Sequence, residues 1–217
     1  MSAAALADET ALGNLSLRNE PVQARSAARL AGLLDAAAAV IDELGYERLT
    51  TAMVAERAGA SIGTVYRYFP DRIAVLQALG ARNLDRVLST ITEEIGKPAH
   101  AGWLDALSGA FEVLEEAFRS EPGFRSLRVG DVIDLRPAPN EKTYNSVVAD
   151  TMLESLAQRF DLTIDDEARF DFEAAVELSD ALVARAFSRD PNGDSRFLAA
   201  ARSSVAALLT ARFGSAA

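Results

Sequence analysis

Residues 50–76 read TTAMVAERAGASIGTVYRYFPDRIAVL, and their punctuation resolves them into two short helices, a tight turn and the start of a third helix. Thr50 or Thr51 supplies a hydroxyl that accepts from a free amide in a first helical turn. Ala52 to Ala58 are good helix formers, with Val54, Ala55 and Ala58 toward one face. Gly59 ends that helix, because glycine takes the left-handed C-terminal conformation at little cost. Ser61 caps a second short helix, on which Val65 and Phe69, four apart, face inward. Pro70 stops it and Asp71 caps the next.

Two short helices joined by a tight glycine-containing turn form a helix-turn-helix, a unit whose second helix enters the major groove of DNA. The faces left outward, carrying Ser61, Ile62, Thr64, Tyr66, Arg67 and Tyr68, suit that task. Thr64, Tyr66 and Tyr68 donate to phosphate oxygens, and the helix N-terminus itself favours anions. Arg67 reaches phosphate or guanine, Ile62 is placed to touch a thymine methyl, and Gly63 lets backbone approach the duplex. An ordinary pair of structural helices with surface tyrosines has the same spacing, so spacing alone leaves both readings open.

The combination of residues is more specific. A long first helix ending Leu44-Gly45-Tyr46 leads to Leu49-Thr50-Thr51, Val54-Ala55, Ala58-Gly59-Ala60-Ser61, Gly63-Thr64-Val65-Tyr66-Arg67-Tyr68-Phe69, Asp71-Arg72 and Val75-Leu76. Residues 28–79 thereby resemble the DNA-binding domain of the TetR family of bacterial transcriptional regulators. The resemblance implies DNA contacts from Thr50 or Thr51, Ser61, Ile62, Thr64, Tyr66 and Tyr68. It also implies a phosphate contact from Arg72, where the family usually carries lysine; arginine keeps the charge and the donors.

The bulk properties set bounds on that reading. The chain has 217 residues, 49% hydrophobic and 25% charged, which fits one or two globular domains with a substantial core. It has no cysteine, so disulfides, thiol nucleophiles and Cys-ligated metals are out, and one histidine, so His-rich metal sites cannot form within one chain. No glycine loop of the phosphate-cradling type is present. No catalytic residue, cofactor or metal is therefore called for. No apolar run is long enough for a membrane span, and acids stand where a secretory signal needs bases, so a cytoplasmic location is expected. The net charge of −10 argues at first against a nucleic-acid partner. Most of it lies late in the chain: residues 1–80 carry −2 and residues 81–217 carry −8. Since salt screens charges beyond about 8–10 Å, the local field at the reading head is what matters.

Elsewhere the sequence predicts an all-α chain. Residues 1–25 are expected as a flexible arm whose Arg18 and Arg25 are in reach of a minor groove, a solvated tail being the simpler alternative. Residues 26–80 form the helix-turn-helix domain, with a first helix over 26–44. Residues 81–217 form a helical effector-binding and dimerisation domain. The Asp71-capped helix runs unbroken to about Ile95, from the first unit into the second. Further helices are expected over about 101–120, 124–135, 141–160, 165–188 and 194–213, with a loop at Arg136-Pro137-Ala138-Pro139-Asn140.

Two features of the second unit bear on function. The aromatic and sulfur side chains Trp103, Phe111, Phe118, Phe124, Tyr144 and Met152, with Glu173, Glu177 and Asp180 on one helix face, are candidates for a small-molecule pocket. An ordinary core stripe and a solvated acidic stripe are the simpler alternative. The last two helices carry apolar and small residues that suit a four-helix interface between two copies, which the resemblance implies. The resulting expectation is a ligand-responsive repressor that binds a palindromic operator as a homodimer and is released by a small molecule. Two alternatives remain: a DNA-binding regulator controlled by a protein partner or by no ligand, and a helical binding protein or carboxylate enzyme that does not bind DNA.

Overall fold

In a computed structural model of the chain, the described residues are 3–130 and 142–214 for the backbone and 24–130 and 142–214 for side chains. The described residues form an all-α fold. Helix α1 spans Ala3–Leu44, followed by a 3-10 turn at Tyr46–Arg48, α2 (Thr51–Arg57), α3 (Ile62–Tyr68), α4 (Arg72–Ile95), α5 (Trp103–Ser120), α6 (Phe124–Val129), α7 (Tyr144–Phe160), α8 (Asp166–Phe187) and α9 (Ser195–Phe213).

The helix ends follow local chemistry. Thr50, Ser61, Asp71, Thr143, Asp165 and Asp194 each accept from an amide of the following first turn. The α2–α3 turn is closed as expected at Gly59, whose φ is +57°. Ala60 N–H donates to the Ala55 carbonyl at 2.9 Å and Gly59 N–H to that of Glu56 at 3.1 Å. These two bonds are the paired closures of a Schellman motif, which satisfies carbonyls the helix would otherwise leave open.

Two elements differ from expectation. Helix α1 continues back to Ala3 where an arm was expected over residues 1–25, in keeping with the alanine-rich sequence; side chains before Ala24, Arg18 among them, lie outside the described residues. Helix α6 ends at Val129, where a helix to about residue 135 was expected, because Gly130 closes it. The expected loop at 136–140 lies outside the described residues.

Packing divides into two cores. The first joins α1–α4 through Leu33, Ala37, Ile41, Leu49, Val54, Val65, Phe69, Val75, Leu76 and Leu79. The second joins α4–α9 through Val87, Ile91, Ile95, Trp103, Phe118, Phe124, Leu156, Phe172 and Phe187, among others. Helix α4 contributes to both. So does α6, whose Phe124 belongs to the second core while Leu127, one turn on, belongs to the first. Phe118 is the keystone of the second core, meeting Phe124 edge-on at 5.1 Å and stacking on Phe187 at 4.8 Å. Phe118→Ala is expected to destabilise the chain by about 3–5 kcal/mol in urea unfolding, the range for a truncated core aromatic.

Candidate nucleic-acid interface and internal cavity

The turn at Gly59 fixes the direction in which α3 leaves α2. Val65 (0% exposed) and Phe69 then face the core, and the opposite side of α3 is left to solvent. Ser61, Ile62, Gly63, Tyr66 and Arg67 are exposed and Thr64 is half-buried. Ile62 and Tyr66, at 43% and 54% exposed, are large side chains left outside the core. Ser61 Oγ accepts from Thr64 N–H at 3.1 Å and lies 2.9 Å from Thr64 Oγ1. Thr51 Oγ1 donates to the Tyr66 hydroxyl at 3.4 Å, and Thr50 Oγ1 accepts from Met53 N–H at 3.2 Å. The hydroxyls of α2 and α3 thus stand together at one surface. A Cβ added at Gly63 would meet no atom closer than Ser61 Oγ at 3.9 Å, so that glycine is not required by the fold.

Two expected contacts are placed differently. Tyr68 is half-buried, with its hydroxyl 3.1 Å from Ser26 Oγ, which pins α3 to α1, and its ring centre 5.3 Å from the Arg67 guanidinium. Arg72 is also half-buried and points back into the fold, its guanidinium donating to the Tyr46 carbonyl at 2.9 Å with Nε buried and unpartnered. The Tyr46 carbonyl also accepts from Leu49 N–H at 3.3 Å, so Arg72 is its second donor. Cationic surface is supplied instead by Arg25, Arg29 and Arg67, which line one groove with Ser26 and Tyr68 between α1 and α3. The i, i+4 spacing of Arg25 and Arg29 puts both on one face of α1 and was readable in the sequence.

The second core holds a partly open cavity of about 60 Å³. Its wall is apolar along α4, α5, α7, α8 and α9, including Val87, Ile91, Leu107, Phe111, Val148, Met152, Phe172, Val176, Val205 and Leu209. One end is polar: Arg128, Tyr144, Asn145, Ser179 and Asp180. Arg128, only 7% exposed, donates to Asp180 and to Asn145 Oδ1 (3.0 Å), and its guanidinium lies 3.8 Å from the centre of the Tyr144 ring. Asn145 in turn donates to Glu177 at 2.9 Å.

Of the sequence candidates, Phe111, Tyr144, Met152 and Asp180 line this cavity. Trp103, Phe118 and Phe124 do not. They are consumed in the core, Trp103 against Phe213 at 5.8 Å and the other two against each other. Glu173 accepts from Ser146 at 2.5 Å, and Glu177 serves Asn145 from behind the wall. Arg128, Asn145 and Ser179 were not singled out by the sequence. The short helix FRSLRV carries two arginines, Arg125 and Arg128, and nothing in its spacing distinguishes the one that lines the cavity.

The chain matches family models over most of its length. Residues 33–79 match "Bacterial regulatory proteins, tetR family" and residues 101–213 match "Tetracyclin repressor-like, C-terminal domain". The chain belongs to the TetR family of DNA-binding transcriptional regulators. A TetR-family transcriptional regulator from Streptomyces coelicolor is similar in structure at TM-score 0.71 and 34% identity, over 85% of this chain and 99% of that one. The HTH-type transcriptional repressor KstR of Rhodococcus jostii is 42% identical over 55 residues, 25% of this chain and 26% of that protein. The Fatty acid metabolism regulator protein of Bacillus subtilis is 29% identical over 104 residues, 48% of this chain and 51% of that protein. The chain thus spans a quarter to a half of the length of these two curated relatives. Among the described residues no helix is long and apolar enough to cross a membrane.

The link between TetR reading head and cavity is tight at Gly130. A Cβ there would fall 2.4 Å from Tyr46 Cε1 and 3.0 Å from the Ser126 carbonyl oxygen. Gly130→Ala is expected to destabilise the chain by about 1–3 kcal/mol in urea unfolding, as overpacked sites do.

Proposed function

We propose that this chain is a ligand-controlled repressor that binds a palindromic operator as a homodimer in the bacterial cytoplasm and is released by a small molecule held in the α4–α9 cavity. The observation that carries the DNA half is the outward face of α3: Ile62, Thr64, Tyr66 and Arg67 are accessible together beyond a turn held by two backbone bonds. Such a face suits a major groove, with hydroxyls and the α3 N-terminus on phosphates and Ile62 on a thymine methyl. Arg25, Arg29 and Arg67 supply the local positive field that the overall charge lacks.

The cavity favours ligand control over constitutive binding, because a well-packed domain would not hold an apolar space ending in a buried arginine. Helix α6 supports a route for the signal: Arg128 lines the cavity and Leu127, its neighbour, sits in the reading-head core. A coupling of about 1–3 kcal/mol would change operator affinity roughly 5- to 150-fold. A dimer through α8 and α9 would cover Phe170 and Leu178, exposed at 67% and 39% on α8. It would also give the two-fold symmetry that a palindrome needs, with reading heads about one DNA turn or a multiple apart.

Fluorescence anisotropy on the DNA upstream of the chain's own gene tests the first half. Thr64→Ala and Tyr66→Phe are each expected to weaken binding about tenfold or more, since each loss counts twice in a dimer. Gly63→Ala should raise stability by about 0.5–1 kcal/mol, as alanine does in a helix with open space, while weakening DNA binding. A helical binding protein or enzyme with a purely structural helix pair would show no dependence on any of the three. Sedimentation of Phe170→Glu tests the interface, with a shift from dimer to monomer expected.

A further inference from the structure

The polar end of the cavity carries information about the ligand. The charged side chains lining it are Arg128 and Asp180, and they are bonded to each other. Their charges cancel inside the wall. An anionic head group would gain Arg128 only by facing or displacing Asp180, and a cationic one would gain Asp180 only by facing Arg128. The two exchanges differ. A cation that takes Asp180 strands Arg128, whose side chain is 6% exposed against 30% for Asp180. An anion only swaps one partner of Arg128 for another and must still shed its own water. Beside this closed pair stands Ser179, 7% exposed, which lines the cavity and has a hydroxyl with no hydrogen-bond partner among the described residues. A hydroxyl that opens onto a cavity can both donate and accept, and is a place for an incoming polar atom. The remaining wall, from Val87 and Ile91 to Val205 and Leu209, offers only hydrocarbon.

Resting on the proposal that this cavity is the effector site, we infer that the ligand is a small uncharged molecule with a hydrocarbon body and a single hydroxyl or carbonyl head. The head bonds to the Ser179 hydroxyl beside the Arg128–Asp180 pair and leaves that pair intact. The body lies against Phe111, Met152 and Phe172. Carboxylates and amines of the same shape are discriminated against, because they must break into a neutral pair that a hydroxyl or carbonyl merely touches.

Isothermal titration with three probes of one shape tests this on the full-length chain: cyclohexyl methyl ketone, cyclohexanecarboxylate and cyclohexylmethylamine. The ketone is expected to bind at least about tenfold more tightly than either charged probe. Ser179→Ala removes one hydroxyl without touching the ion pair; it should weaken the ketone about fivefold, with the thermal midpoint and the charged probes unmoved. In Asp180→Asn, which frees the arginine, the carboxylate should overtake the ketone. If the carboxylate or the amine binds the wild-type chain as well as the ketone does, or Ser179→Ala leaves the ketone unaffected, the head-group assignment falls while the cavity stands as a ligand site. If none of the three binds, the effector site itself falls with it.

Discussion

Two hydrophobic cores share helix α4, and the molecule depends on that sharing. Val75, Leu76 and Leu79 are buried among α1–α3, whereas Val87, Ile91 and Ile95 are buried among α5–α9. The 24 residues of α4 span about 36 Å without a break, so neither core can shift along it without moving the other. Helix α6 closes the arrangement from the side. Phe124 and Leu127, one turn apart, anchor one short helix in both cores, and Gly130 seats its end against the Tyr46 ring. Close-packed interiors do not absorb displacement gradually. Shared packing of this kind makes the TetR fold suited to passing a change at one end to the other.

Charge plays a narrower part than the composition suggests. Several arginines of the reading head are committed to the fold. Arg57 grips Glu43 through two bonds of 2.8 and 2.6 Å, Arg82 bonds Asp35 at 2.7 Å, and Arg72 serves the Tyr46 carbonyl. The Arg57 pair holds the Glu43 carboxyl below the usual carboxylate range, although both groups are too exposed for it to add much stability. These contacts orient α1, α2 and α4 around the turn rather than building a strongly positive surface. On the proposed function, recognition falls to the hydroxyls of α2 and α3, to Ile62 and to the few arginines along the α1–α3 groove. That division accords with an overall charge of −10.

The parts legible in sequence were those settled within one or two helical turns. Gly59 took its positive φ, Ser61 and Asp71 capped as expected, and the α4 limits at Arg72 and Ile95 were readable because a capping acid and Gly96 bound them. The outward face of α3 followed from the inward pair Val65 and Phe69 alone. The cavity was harder to read for a physical reason. Phe111 and Phe118 lie seven apart on one stripe of α5, yet one lines the cavity and the other fills the core. Periodicity distinguishes inside from outside, and both residues are inside. What separates them is whether a neighbouring helix supplies a second ring: Phe118 has Phe124 and Phe187, and Phe111 has space. The directions of Arg72 and Tyr68 were not readable for a related reason. Their helical phase permits either direction, and distant partners, the Tyr46 carbonyl and Ser26, decide it.

The same distinction between local and distant causes bears on control. A ligand alters operator affinity only by binding the two arrangements of the protein unequally. Filling apolar space between α4, α5, α7 and α8 acts on α4 directly through Val87 and Ile91, eight and twelve residues beyond Leu79 in the reading-head core. The ion pair of Arg128 and Asp180 fastens α6 to α8, and the Arg128–Asn145 bond fastens it to α7. A ligand that left these bonds in place would hold α6 as a fixed pivot while displacing α4. One that broke them would release Leu127 together with Arg128 and loosen both cores at once. A neutral ligand therefore fits a mechanism in which α4 moves against a stationary α6, because a lever needs a fulcrum that does not move with it.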